Sequence, residues 1–100
     1  DEVVIAEPKF IGRLKLTITR YSLTTGAING SLTIDCKDES VDTDPATVAL
    51  RELAAVDGNL VFLIDYKGKD IMTLGTLGTK NATVARGKTN QWLGVISGSY

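Results

Sequence analysis

The feature that most constrains the fold is a pair of alternating segments separated by a short turn. In residues 10–23, and again in residues 28–36, apolar and polar side chains follow one another at successive positions. A period of two places the apolar side chains on one face of a β-strand. With residues 24–27 as the turn, we predict an antiparallel hairpin with one buried and one solvated face, across which Lys15 and Asp35 can pair.

The composition of the remaining chain also favours strands. Thr, Val and Ile make up 28 of the 100 residues, and their branched side chains fit a pleated sheet better than a helix. Residues 60–64 are apolar without alternation, which is typical of a strand covered on both faces. After a turn at Lys67-Gly68 we expect a return strand over residues 71–77, and a last strand over residues 91–97.

One segment predicts a helix instead. Asp44 suits an N-cap, Pro45 suits the first helical position, and Gly58 suits a C-terminal stop. The apolar residues between them recur at helical spacing: Ala46, Ala49, Leu50, Leu53 and Ala54. We therefore predict an α+β domain, mostly an antiparallel β-sandwich or partly closed barrel, with one helix at about 45–57 covering the sheet.

A chain of this length forms one domain, which we assign to residues 10–100, preceded by an N-terminal arm at residues 1–9. The arm is apolar at its centre, flanked by acids and interrupted by Pro8. An apolar arm that does not join its own sheet would suit a neighbouring subunit. Its predicted interface residues are Val3, Val4 and Ile5.

The charge distribution suggests a second contact between copies. The net charge is −1, which excludes a strongly electrostatic nucleic-acid binder. Acids dominate residues 1–66 and bases dominate residues 67–100. This polarity permits head-to-tail contact between copies, with Lys67 and Lys69 facing Asp38, Glu39 and Asp42. The alternative, in which the two ends neutralise each other within one fold, stays open.

The chain contains few of the residue types that enzymes use for catalysis. There is no His and only one Cys, so Ser-His and Cys-His nucleophiles are excluded within one chain. No acid and base pair stands out, and we predict no enzymatic activity and no cofactor. Cys36 falls on the apolar face of its strand, where a buried and inert thiol is the favoured interpretation.

Metal and membrane binding are also disfavoured. The acidic segment 35–44 places oxygens at alternate positions, but Thr43 and Ala49 stand where a helix-loop-helix calcium site needs Gly and Glu. We predict no metal site, although cation binding by this segment stays open. The longest apolar run is too short to cross a bilayer, and we expect no membrane contact.

The hairpin over residues 14–36, the predicted helix after Asp44-Pro45 and the arm at residues 1–9 together resemble small virion proteins of tailed bacteriophages, of the capsid-decoration or tail-tube type. The resemblance lies in the overall arrangement and implies a self-assembling structural subunit that acts through subunit contacts. Its partners would be other copies of itself and other virion proteins. It implies a location in the virion; the location expected otherwise is the cytoplasm. The alternative is a monomeric protein-binding or inhibitor module that uses its loops.

Overall fold

The computed structural model describes residues 1–10, 12–36, 48–78 and 81–97. Within these ranges the chain forms eight β-strands and no helix. The strands are β1 (Glu2–Phe10), β2 (Leu14–Ser22), β3 (Ile28–Cys36), β4 (Val48–Val56), β5 (Asn59–Tyr66), β6 (Ile71–Leu77), β7 (Asn81–Arg86) and β8 (Gln91–Ser97).

The strands form two antiparallel sheets of four. Sheet 1 has the order β1-β2-β3-β6, and sheet 2 has the order β4-β5-β8-β7. The inward-facing side chains of the two sheets meet in one hydrophobic core, as in a β-sandwich. Its buried members are Leu14, Leu16, Ile18, Leu32, Ile34, Cys36, Val48, Leu60, Phe62, Ile64, Tyr66, Trp92 and Ile96.

The predicted hairpin is confirmed as β2 and β3. The two strands pair antiparallel, and Lys15 lies directly opposite Asp35. The side chain of Asp35, however, forms its ion pair with Arg13, at 3.1 Å between Nη1 and Oδ2. The register of the hairpin therefore agrees with the alternation in the sequence. The ion pair of Asp35, however, is formed with Arg13, which precedes β2, and not with Lys15.

The predicted α+β class is wrong, because the segment expected to form the helix at about 45–57 is a strand where the structure describes it. Val48 and Leu50 of β4 lie opposite Tyr66 and Ile64 of β5. The register then shifts between Leu50 and Glu52, which brings Leu53 opposite Phe62. Residues 45–47 and Asp44 lie outside the described residues.

This register shift is the physical reason for the error. A β-bulge adds one residue to a strand, so that inward-facing positions on its two sides are three apart instead of two. Apolar residues at 50 and 53 therefore imitate the spacing of a helix face. The barrel alternative is wrong as well, because no strand pairing joins the two sheets among the described residues.

Residues 1–9, predicted to form an arm, lie almost wholly in β1. This strand pairs with β2 along its length, from Glu2 opposite Ser22 to Phe10 opposite Leu14. Val4 and Ala6 face inward and pack against the core. Pro8 is compatible with this arrangement because an edge strand leaves alternate N–H groups without a strand partner.

Glycine 94 shows how closely the core of sheet 2 is packed. It lies opposite Phe62 in the pairing of β5 with β8, and a Cβ atom built on it would fall 2.1 Å from the Cζ of the Phe62 ring. The aromatic ring thus occupies the space that a side chain at position 94 would need.

We therefore expect Gly94→Ala to destabilise the fold by about 1–3 kcal/mol, because a buried ring would have to move. Gly75→Ala is the matched control, since nothing lies within 4 Å of a Cβ there and the φ angle of Gly75 is not positive. Urea unfolding of both variants measures the difference. Equal midpoints for the two variants would show that Phe62 can move without cost.

Candidate interaction surfaces

The outer surface of sheet 2 is apolar at its centre. Leu63 lies opposite Leu93, and Val61 lies opposite Val95; we call these four residues the apolar face. Leu93 is 47% exposed, and the other three are half-buried. The outward positions of a sandwich are usually polar, so contiguous apolar residues there mark a contact surface.

Small residues border the apolar face on both sides, and one charged residue, Glu52 of β4, lies opposite Leu63. Ala54 of β4 lies opposite Val61, and Ala85 of β7 lies opposite Leu93. Charged side chains lie towards one end of the same surface, where Arg51 and Asp65 form an ion pair at 2.6 Å. A partner can therefore approach the four apolar side chains over alanines of β4 and β7, while Glu52 places one exposed carboxylate at the β4 border.

The sequence interpretation of residues 60–64 missed this surface. It expected a strand covered on both faces, with the helix over one of them. In the structure Leu60, Phe62 and Ile64 are buried against sheet 1, while Val61 and Leu63 remain half-buried on the outside. The absence of alternation did indicate two apolar faces, but with β4 in place of the helix the outer one stays partly exposed.

The outer surface of sheet 1 divides into a polar and an apolar half. Thr17 lies opposite Thr33, and Lys9 lies opposite Lys15, which makes one half polar. The other half carries exposed hydrophobic side chains from β1, β3 and β6: Val3, Ile5, Ile28 and Leu77.

The predicted interface residues are spread over three places. Val3 and Ile5 face outward on β1, each 40% exposed, whereas Val4 faces inward and packs against the core. Lys67 and Lys69 are exposed in the connection between β5 and β6. Asp38, Glu39 and Asp42 lie outside the described residues, so the contact between these acids and the two lysines stays a prediction.

Cys36 is fully enclosed at the end of β3. It is 2% exposed, and its burial, together with the negative charge of Asp35, raises the thiol pKa from 9.0 to about 12. Since the thiolate is the reactive form of cysteine, this environment disfavours nucleophilic or metal-binding chemistry at Cys36.

Among the described residues there is neither a cluster of metal ligands nor a membrane-spanning helix. No three His, Cys, Asp or Glu side chains within these ranges converge as a metal site requires. No helix in them is long and apolar enough to cross a membrane. Most of the acidic segment 35–44 lies beyond the described ranges, so cation binding there remains open.

Comparisons with known proteins do not assign the chain to a family. No protein-family model, no curated protein and no solved structure matches the chain. The resemblance to bacteriophage virion proteins therefore stays a prediction.

A polar cluster fastens β1 to the rest of sheet 1. Arg20, only 6% exposed, donates from Nε and Nη2 to the two carboxylate oxygens of Glu2, at 3.1 and 3.2 Å. Asn29 of β3 donates to the same carboxylate at 2.6 Å. Paired hydrogen bonds of this kind fix geometry as well as adding energy. Glu2 therefore links three neighbouring strands.

We expect Glu2→Ala to destabilise the fold by about 2 kcal/mol or more, because it removes the carboxylate that compensates a buried guanidinium. Glu7→Ala is the control on the same strand, since the Glu7–Lys9 pair is more than half exposed on both sides and is worth about 0–1 kcal/mol. Chemical denaturation compares the two. A loss of stability in Glu2→Ala no greater than in Glu7→Ala would contradict this role.

The raised pKa of Cys36 predicts alkaline destabilisation. The folded chain keeps the thiol neutral, whereas the unfolded chain ionises it near 9.0. The contribution of the neutral thiol to the free energy of unfolding is complete below that pH, and it is lost as the pH rises towards about 12. Between neutral pH and about pH 10.5, wild type should lose on the order of 1–2 kcal/mol more than Cys36→Ala. Parallel pH slopes of the unfolding free energy would refute the assignment.

Proposed function

We propose that this chain is a non-enzymatic structural subunit that assembles with other copies of itself, in the virion setting that the sequence resemblance implies. The observation that carries the proposal is the apolar face of Val61, Leu63, Leu93 and Val95 on the outside of sheet 2. Outward apolar side chains on neighbouring strands lower solubility unless a partner covers them.

The energy available from this surface is appropriate for association. Full burial of a Val or Leu side chain stabilises by about 1.5–3 kcal/mol. The four residues of the apolar face are only partly buried in the single chain, so their further burial by a partner would contribute part of this free energy. Because a contact between two identical copies buries the same surface twice, the gain is doubled. It must still exceed the cost of lost translational and rotational freedom.

The described connections favour contact through sheets over contact through loops. The β4–β5 connection is a two-residue turn with positive φ at Asp57 and Gly58, and the β2–β3 turn is held by the Ser22 hydroxyl. A module that recognises its target through loops usually carries longer ones. Among the described residues the large exposed surfaces belong to strands, which supports a structural subunit; the β3–β4 connection, residues 37–47, lies outside the described residues, so the loop-based alternative stays open.

We expect Leu93→Lys to weaken self-association at least about tenfold while leaving the fold intact, since Leu93 is already half exposed and a charge would oppose burial of the apolar face. Leu77→Lys is the matched control, because Leu77 is 61% exposed but lies on sheet 1. Sedimentation equilibrium gives the association constant, and circular dichroism reports the fold.

Three outcomes of this experiment are informative. Weaker association in Leu93→Lys alone supports the apolar face as the contact. Equal weakening in both variants would indicate a nonspecific effect of added charge and would contradict the assignment. A wild-type chain that remains monomeric at high concentration would overturn self-assembly and leave the binding-module alternative.

A further inference from the structure

We propose that two copies join through β1, edge to edge and antiparallel about a two-fold axis, so that their two copies of sheet 1 form one continuous sheet. The inference rests on the proposed self-assembly and names a contact for it that is separate from the apolar face. The occupant of the β1 edge is a second copy of this chain.

Among the described residues β1 is an outer strand of sheet 1, and one side of its backbone pairs with no strand within them; we call this side the free edge. The Asp1 carbonyl accepts a hydrogen bond from the Leu23 N–H at 3.1 Å. In an antiparallel ladder the backbone groups of alternate residues point to the same side. The odd-numbered residues of β1 therefore bond to β2, whereas Val4 and Ala6 direct their N–H and C=O groups to the free edge.

Pro8 has the same parity as these residues. Its missing N–H is therefore lost from the free edge and not from the ladder with β2, which agrees with its position on an edge strand. Pro8 limits pairing at one end of β1. Val4 and Ala6 keep both kinds of backbone group, and the outward side chains beside them, Val3 and Ile5, are exposed and apolar.

Charge selects the register of the contact. With Ile5 opposite its own symmetry mate, Val4 of one copy pairs with Ala6 of the other, and Asp1 lies opposite Lys9. A shift of the paired positions by two residues in one direction places Asp1 opposite Glu7, and a shift in the other places Val3 opposite Lys9. Opposite charges facing across a sheet are favourable and like charges are not, so the first register is preferred.

This register also brings a further negative charge to the polar half of sheet 1. Lys9 and Lys15 lie directly opposite each other, an arrangement that raises the energy of an isolated sheet. The exposed Glu7 is 3.2 Å from Lys9. An aspartate from a second copy brings a further negative charge to this pair of lysines.

The same charges disfavour a head-to-tail contact. Because β1 and β6 are the outer strands of a four-stranded antiparallel sheet, β6 of one copy would also run antiparallel to β1 of the next. That contact would bring Lys9 and Lys15 beside Lys69, since the end of β1 and the start of β6 lie at the same end of the sheet. The two-fold contact keeps these lysines apart.

Disulfide trapping tests the register directly. In the proposed contact, Ile5 and its mate form a non-hydrogen-bonded pair, with Cα atoms about 4.5 Å apart, which a disulfide can span. Val3 and its mate are offset by four residues, about 13 Å along the strand. Ile5→Cys should therefore form a covalent dimer by exchange with oxidised glutathione, which is reduced to two thiols, and Val3→Cys should not. The native Cys36 is buried and does not compete.

Two further variants test the backbone and the charges by sedimentation. Ala6→Pro removes an N–H from the free edge and none from the ladder with β2, and we expect association to weaken about tenfold or more with little change in the urea midpoint. Lys9→Glu should weaken it about three- to tenfold, and adding Asp1→Lys in the same chain should restore it. Lys69→Glu is the charge control.

The results separate this contact from the proposed function. Trapping of Ile5→Cys alone, together with the loss in Ala6→Pro, supports the two-fold contact. Equal trapping of both cysteine variants, or of neither, in a chain that still self-associates would overturn the contact and leave self-assembly standing. Stronger association in both Lys9→Glu and Lys69→Glu would indicate the head-to-tail contact instead, because these lysines would lie side by side there. A wild-type chain that never associates would overturn both proposals.

Discussion

The structure depends on the burial of alternate side chains between two sheets. Because the period of a strand is two, each core position such as Phe62 or Ile64 forces its neighbours, Val61 and Leu63, to the outside. In β2 and β3 those neighbours are polar, and sheet 1 has a solvated centre. In β5 and β8 they are apolar, so the same burial that stabilises the core also creates the apolar face.

The elements predicted from the sequence are those whose signals are local. The β2–β3 hairpin needed only alternation and a nearby turn, and its register agrees with the pairing of Lys15 with Asp35. β4 was mistaken for a helix because a bulge at one residue shifts the inward positions from 50 to 53. The sheet order depends on pairings between distant strands, such as β3 with β6, which no local pattern encodes.

The candidate surfaces also include residues that a local sequence pattern indicates and residues whose exposure depends on the pairing of distant strands. Val3 and Ile5, predicted as interface residues because they lie in an apolar segment flanked by acids, are exposed on the outside of β1. Val4 was assigned to the same contact, although strand parity turns it inward. Leu93 and Val95 were missed, since their outward position depends on the pairing of β8 with β5. Sequence alone shows which residues are apolar, while the sheet pairing decides which of them meet solvent.

The two proposed contacts have consequences for the size of the assembly. The β1 edge belongs to sheet 1 and the apolar face to sheet 2, so one copy can use both at once. The edge contact has a two-fold axis, and if the apolar faces of two copies also pack symmetrically, each subunit has two different two-fold neighbours. Axes that intersect at right angles close four copies into a tetramer, whereas axes that do not intersect generate an open filament. The charge pairing of Asp1 with Lys9 acts on only one of these contacts, so raising the ionic strength should weaken the β1 edge contact more than the contact through the apolar face.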